Sequence, residues 1–198
     1  MTLRTVKTTL LAFALLTLSG CGINNIPTYD EAVNAAWSEV QNQYKRRADL
    51  IPNLIETVKG FAAQEKDVLL EVTEARTKVS QMNISPDILS DPAAFEQFQA
   101  SQGALSSALS RLLVTVERYP ELKSNENFLA LQSQLEGSEN RIAVARRDYI
   151  QAVQQYNREL RTIPGRWWRK FMYPESQIKE TFSIEESEME NPTVNFNN

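Results

Sequence analysis

Few side chains in this chain could do chemistry, and their spacing is ordinary. Glu71 and Glu74, and Glu136 and Glu139, are carboxylate pairs three residues apart. General acid–base work needs two acids in environments that drive their pKa values apart. Pairs at i, i+3 on a helix surface share one environment, and a chain with 25 acidic residues generates such pairs by chance. There is no histidine, which excludes a Ser-His-Asp or Cys-His nucleophile, a His-ligated zinc and an imidazole pH switch. The single cysteine, Cys21, excludes an intrachain disulfide and a thiolate metal cluster. No P-loop, dinucleotide fingerprint or EF-hand loop is present. The expectation is a protein that is not an enzyme and uses no cofactor or metal. A formal net charge of −4 gives no general attraction to nucleic acid.

Two groups of residues suit binding better than catalysis. Lys45-Arg46-Arg47-Ala48-Asp49, followed by Pro52 and Asn53, offers a docking surface of mixed charge beside a proline kink. Within it, Arg47 stands where the repeat of its helix otherwise places apolar residues. A buried unpaired charge is costly, so Arg47 either lays its stem on the seam and extends its head to water or pairs with Glu139 or Glu159. Residues 166–173 (Arg-Trp-Trp-Arg-Lys-Phe-Met-Tyr) mix basic and aromatic side chains. Trp167 and Trp168 there either cap the end of the fold, with Phe171, or meet a partner or membrane interface. Tyr44, Tyr119, Tyr149 and Tyr156 fall on apolar seams and read as core packing rather than a ligand cage.

The elements that must hold these residues are long helices. A series stepping alternately by four and three runs Val33, Trp37, Val40, Tyr44, Arg47, Ile51, Leu54, Val58, Phe61, Glu65, Val68, Val72, Ala75, Val79. A mean step of 3.5 is the seam of a coiled coil. Thr28 with Glu31 forms a capping box, so the first helix is expected from about residue 29 to 81, roughly 80 Å long. Pro52 frees the carbonyl of Ala48 and Gly60 is a second soft point; a break at either raises the helix count. Met82–Ser90 reads as a loop. A second helix, capped by Ser90 or Asp91 with Pro92 in its first turn, carries Phe95, Phe98, Gln102, Leu105, Leu109, Leu112, Val116 and Tyr119 on its seam. A third, from about Glu126 to Ile163, carries Phe128, Leu131, Leu135, Ser138, Ile142, Ala145, Tyr149, Ala152, Tyr156, Glu159 or Leu160, and Ile163, and Pro164-Gly165 ends it. Short links between long amphipathic helices make antiparallel neighbours. The fold class is all-α: an elongated antiparallel bundle of three long helices, with a short C-terminal helix after Gly165 as an addition. With three helices, the 166–173 patch lies at the end remote from the chain's start.

The chain's start is a targeting segment. Arg4 and Lys7 precede the apolar run Leu10–Leu16, which is shorter than the about 20 residues that span a bilayer and suits a signal-peptide core. Leu18-Ser19-Gly20-Cys21 follows and resembles the lipobox of bacterial lipoproteins. That resemblance implies cleavage between Gly20 and Cys21 and lipidation of Cys21, leaving the protein facing the periplasm on acyl chains such as palmitate. Two acyl chains already anchor a protein stably. Gly22 in place of aspartate removes the usual inner-membrane retention signal and points to the outer membrane in a diderm host. Residues 21–28 read as a linker and 29–173 as the helical body. Residues 174–198, with six glutamates against one lysine, read as a disordered acidic tail.

The stretch YKRRADLIPNLIETVKG, Tyr44–Gly60, resembles the LemA family of bacterial membrane-associated proteins. The resemblance continues through Phe61-Ala62, Glu65, Val72-Thr73-Glu74-Ala75-Arg76, Tyr119-Pro120-Glu121-Leu122-Lys123, Phe128 and Leu131-Gln132, then Glu139, Ile142, Arg146, Tyr149, Val153 and Tyr156-Asn157. It covers about residues 29–164. Ile150 and Ile163-Pro164 depart from the family pattern, as does a lipid anchor where many members have a membrane-spanning helix. The resemblance implies an antiparallel helical bundle and leaves biochemical activity undefined; a TPM-domain membrane protein is a partner it suggests. The functional expectation is a lipid-anchored, non-enzymatic interaction or scaffold module of the cell envelope. The alternatives are an accessory subunit of a membrane enzyme system, such as a protease or a TPM-domain partner, and a homo-oligomer that shapes membranes.

Overall fold

The structure, a computed structural model, describes residues 22–82 and 85–183. The expected signal peptide and lipidation site, residues 1–21, and the final residues 184–198 lie outside the described residues. Among the described residues the chain forms α1 (Asn25–Ala62), α2 (Lys66–Gln81), a 3₁₀ turn (Pro86–Ser90), α3 (Pro92–Val116), the single turn α4 (Pro120–Lys123), α5 (Glu126–Arg161) and α6 (Gly165–Phe171). The fold is all-α, as its seams require, and α1 alone is about 57 Å long at 1.5 Å per residue.

The bundle has four helices of 16 residues or more rather than three. The predicted first helix breaks at Ala63–Glu65, three residues beyond Gly60, and α2 folds back along α1. Burial shows the cause. The seam is buried from Val33 to Val58, but Phe61 is exposed while Ala62 is buried, and Leu69 replaces Val68 on the inside. The apolar stripe slips by one position at the point where the helix stops. Pro52 stays inside α1.

Side-chain pairs fix the topology. α1 runs antiparallel to α5, with Trp37 against Tyr149 and Arg47 against Glu139. α2 runs antiparallel to α3, Glu71 pairing with Arg111. α1 and α3 run parallel, Tyr44 in the middle of α1 meeting Phe98 in the first part of α3, and Glu65 meeting Arg118 beyond their ends. Asp91 caps α3 by accepting from the amides of Ala93 and Ala94, and Asn125 caps α5 by accepting from Phe128.

Further boundaries differ from expectation. The second expected helix, α3, ends at Val116 rather than Tyr119, and Pro120 opens α4 instead of stopping α3. Residues 25–28 are helical rather than linker, because Ile26, seven residues before Val33, extends the seam and is buried. Pro27 is tolerated there because a first-turn amide has no helical acceptor. Residues 174–183, expected to be disordered, lie extended against the bundle. The Glu180 amide donates to the carbonyl of Leu89 at 2.7 Å, and Asn157 exchanges bonds with the amide and carbonyl of Lys179. Phe182 is buried against Trp37, Phe95 and Tyr149. This strap completes an aromatic core in the half of the bundle where α1 starts; the far half is mostly aliphatic, built on Ile51, Leu54, Val58, Leu105 and Leu112 with Phe128.

Candidate functional site

Arg47 lies between the two cores. Its neighbours on the seam are Tyr44 in the aromatic half and Ile51 in the aliphatic half. Gln102 holds the equivalent place on α3, between Phe98 and Leu105, and Ser138 and Glu139 hold it on α5, between Leu135 and Ile142. The guanidinium is only 1% exposed. Its Nη1 donates to Ser106 Oγ and to Glu139 Oε1, both at 2.8 Å, and its Nη2 donates to Gln102 Oε1 at 2.6 Å. It also sits 5.1 Å from the centroid of the Tyr44 ring. Burial pushes the Tyr44 phenol above its ordinary value, against the opposing pull of Arg146 and Arg47. Glu139 remains 46% exposed at the lip of a 390 Å³ cleft that Tyr44, Arg47 and Arg146 also line. Of the two acids proposed for Arg47, Glu139 is the partner. The cluster is a polar layer across the bundle, with its buried cation paired and hydrogen-bonded.

The neighbours of Arg47 in sequence face outward. Arg46, Asp49 and Asn53 are exposed, continuing a stripe from Asn42 through Glu56 to Gly60 in steps of four and three, with Lys45 beside it. This is the polar ridge of α1, directly opposite its seam. Among the described residues Arg46 and Asp49 have no ion pair. Pro52 is half-buried, and the carbonyl it frees on Ala48 accepts from Arg76 Nε on α2 at 3.1 Å.

The basic–aromatic patch sits where the four-helix count puts it. α5 returns to the end at which α1 starts, so Asn25 Nδ2 donates to Glu159 Oε1 at 3.2 Å. A Cβ on Gly22 would lie 3.6 Å from Pro164 Cγ. The patch is therefore beside the start of α1, at the end opposite to the one expected. α6 is pressed onto the end of α5: a Cβ on Gly165 would lie 2.2 Å from the carbonyl oxygen of Glu159, a closeness only glycine permits. Trp168 packs against the aromatic core, whereas Trp167 is 55% and Phe171 74% exposed. The two tryptophans thus have different surroundings, and capping by Phe171 does not occur.

Among the described residues no group of His, Cys, Asp or Glu has the arrangement of a metal site, and no helix is long and apolar enough to cross a membrane. The sequence model of the LemA family matches residues 36–196. The chain belongs to the LemA family. It is 27% identical over 158 residues to magnetosome protein MamQ 2 of Paramagnetospirillum magneticum, covering 71% of this chain and 58% of that one. It is 24% identical over 140 residues to protein LemA of Metamycoplasma hominis, covering 71% and 60%. It is 25% identical over 150 residues to MamQ of Magnetospirillum gryphiswaldense, covering 68% and 55%. The chain thus matches less than two thirds of the length of each of these relatives.

The LemA match reaches past α6 and the strap, beyond the limit near 164 drawn from the motifs. Sequence reasoning missed Lys179, whose Nζ pairs with Asp30 at 2.8 Å, and Phe182, whose ring lies 4.4 Å from the Arg146 guanidinium. The available signal was the spacing of Ile178 and Phe182 after Tyr173, hidden in a glutamate-rich segment.

Proposed function

We propose that this LemA-family protein is a non-enzymatic interaction module of the bacterial cell envelope. A lipidated Cys21 tethers it, and the outward ridge of α1 meets a protein partner. The observation that carries this reading is the division of labour along one helix turn. Arg47 is held inside by Glu139, Gln102 and Ser106, while Arg46 and Asp49 present opposite charges outward with no ion pair among the described residues. The fold uses the one cation and leaves the other, with its neighbouring acid, for a complementary surface. A TPM-domain membrane protein is the partner class the family resemblance suggests.

A photo-cross-linking residue at Arg46, introduced in cells, tests this. The expected result is one discrete adduct with another protein, lost on Asp49→Lys and not formed from Ser133 on the exposed face of α5. Adducts with further copies of this chain alone would replace the reading with a self-assembling one. Equal capture from both positions would remove the ridge from the account.

A further inference from the structure

We infer that α6, with Ile163 before it, is a membrane-resting foot: its outer face lies in the headgroup layer of an anionic bilayer. This rests on the membrane association proposed above and adds the contact that orients the bundle.

Three observations carry it. First, the outer face is apolar where a soluble helix end is ordinarily polar. Ile163 is 64%, Trp167 55%, Phe171 74% and Met172 49% exposed, four large apolar side chains within ten residues. Second, the same surface carries exposed cations, Arg161, Arg166 and Lys170, and Lys170 Nζ lies 5.8 Å from the Phe171 ring centroid. Aromatic rings among lysine and arginine match the boundary between acyl chains and anionic headgroups, where a ring buries its body and a cation meets phosphate. A purely aliphatic patch would fit a protein groove equally well; this mixture favours lipid. Third, position. Gly22 packs beside Pro164, so the apolar segment and Cys21 that precede Gly22 in the sequence join the body at the foot. A tether there holds the foot within a few residues' reach of the bilayer. α6 is also firmly set, by Trp168 packed partly buried against the aromatic core, by the close approach at Gly165, and by Arg169, whose Nε donates to the carbonyl of Ser176 at 3.0 Å. The outer face is thus presented by a fixed element.

The test uses the full chain reconstituted into vesicles of phosphatidylethanolamine and phosphatidylglycerol with brominated acyl chains. Bromines quench an indole that reaches the acyl boundary. The share belonging to Trp167 is the difference between the wild type and Trp167→Tyr. The expected result is quenching of the wild type that Trp167→Tyr largely removes, Trp37 being buried and Trp168 turned partly buried against the core. Lys170→Glu should lower the ratio of docked to undocked foot roughly fivefold or more, and Phe171→Ser should lower it further; both sites are exposed, so helical content should not change. Wild-type protein that floats with the vesicles but is quenched no more than Trp167→Tyr would overturn the foot and leave the tether. Cys21→Ser protein that floats and stays quenched would support a foot that holds lipid without the tether. Failure of the wild type to float would overturn both.

Discussion

Arg76 donates from its Nε to the carbonyl of Ala48 at 3.1 Å, the helical carbonyl that Pro52 leaves without an amide. An interior proline ordinarily costs a helix about 3 kcal/mol, through the lost bond and the clash with that carbonyl. Here a side chain from the next helix supplies the missing donor, which explains why α1 continues through Pro52 and turns only at Ala63. It also ties α2 to α1 at one register.

The first prediction follows from that bond. Arg76→Leu should destabilise the bundle by about 1–3 kcal/mol, the cost of a partly buried carbonyl without a donor. Pro52→Ala restores the amide and should remove most of that loss. The two changes should therefore be strongly non-additive in a urea-denaturation double-mutant cycle. Additive effects would show that Arg76 serves some other contact.

The polar layer gives an asymmetric prediction. Arg47→Met removes a buried charge together with its desolvation penalty, whereas Glu139→Leu leaves a guanidinium 1% exposed without its counter-charge. Breaking a buried pair from one side costs about 3–5 kcal/mol, while replacing the ion with an apolar side chain of similar size is often close to neutral. Glu139→Leu should therefore lower the urea midpoint more than Arg47→Met. The reverse order would mean that hydrogen bonds to Gln102 and Ser106, not charge, dominate the layer.

The strap should behave as part of the core. Phe182→Ala removes a ring packed on Trp37, Phe95 and Tyr149, at a cost of about 3 kcal/mol. Proteases should then cut within residues 174–183, and Trp37 emission should shift to the red. A variant as resistant as the wild type would show that the strap contributes nothing to stability.

Tyr149 links the strap to pH. Its hydroxyl donates to the carbonyl of Glu180 at 2.7 Å, and burial, with the nearby Glu180 charge second, pushes the phenol far above its ordinary value of 10.0. A raised folded-state pKa means that the fold favours the neutral phenol. Its contribution is complete below the unfolded value and is lost as pH rises through the folded one. Stability should be insensitive to this group below pH about 10 and fall above it. Tyr149→Phe should lose about 1 kcal/mol at neutral pH with its bond to the strap, and its alkaline decline should be shallower, with Tyr44 and Tyr156 still contributing. An unchanged alkaline slope would contradict the assignment.

What could be read from the sequence divides along physical lines. The seam from Val33 to Val58 is local periodicity, which one chain displays; local pattern and charge balance narrow the cap of α3 to Ser90 or Asp91 and an acid for Arg47 to Glu139 or Glu159, and the structure selects Asp91 and Glu139. The break after Ala62 is a one-residue slip in the apolar stripe, and Gly60, the conspicuous residue nearby, lies exposed within α1. That small slip has a large consequence. Adding one helix changes the parity of the bundle, so α6 moves from the far end to the end where α1 starts. The strap was hidden for another reason. It opens a C-terminal segment, 174–198, in which six glutamates stand against one lysine, yet Phe182 and the backbone of Lys179 and Glu180 supply its contacts. Docking of that kind depends on a groove between α3 and α5 that no local pattern reveals.

In the function proposed above, acyl chains on Cys21 hold this bundle to a membrane. Metabolic labelling with an alkyne analogue of palmitate, followed by mass analysis of the mature amino terminus, tests it most directly. The account predicts label on the wild type, a mature chain that begins at Cys21, and neither in Cys21→Ser. An unlabelled chain that keeps residues 1–20, or one whose first residue lies after Cys21, would contradict it.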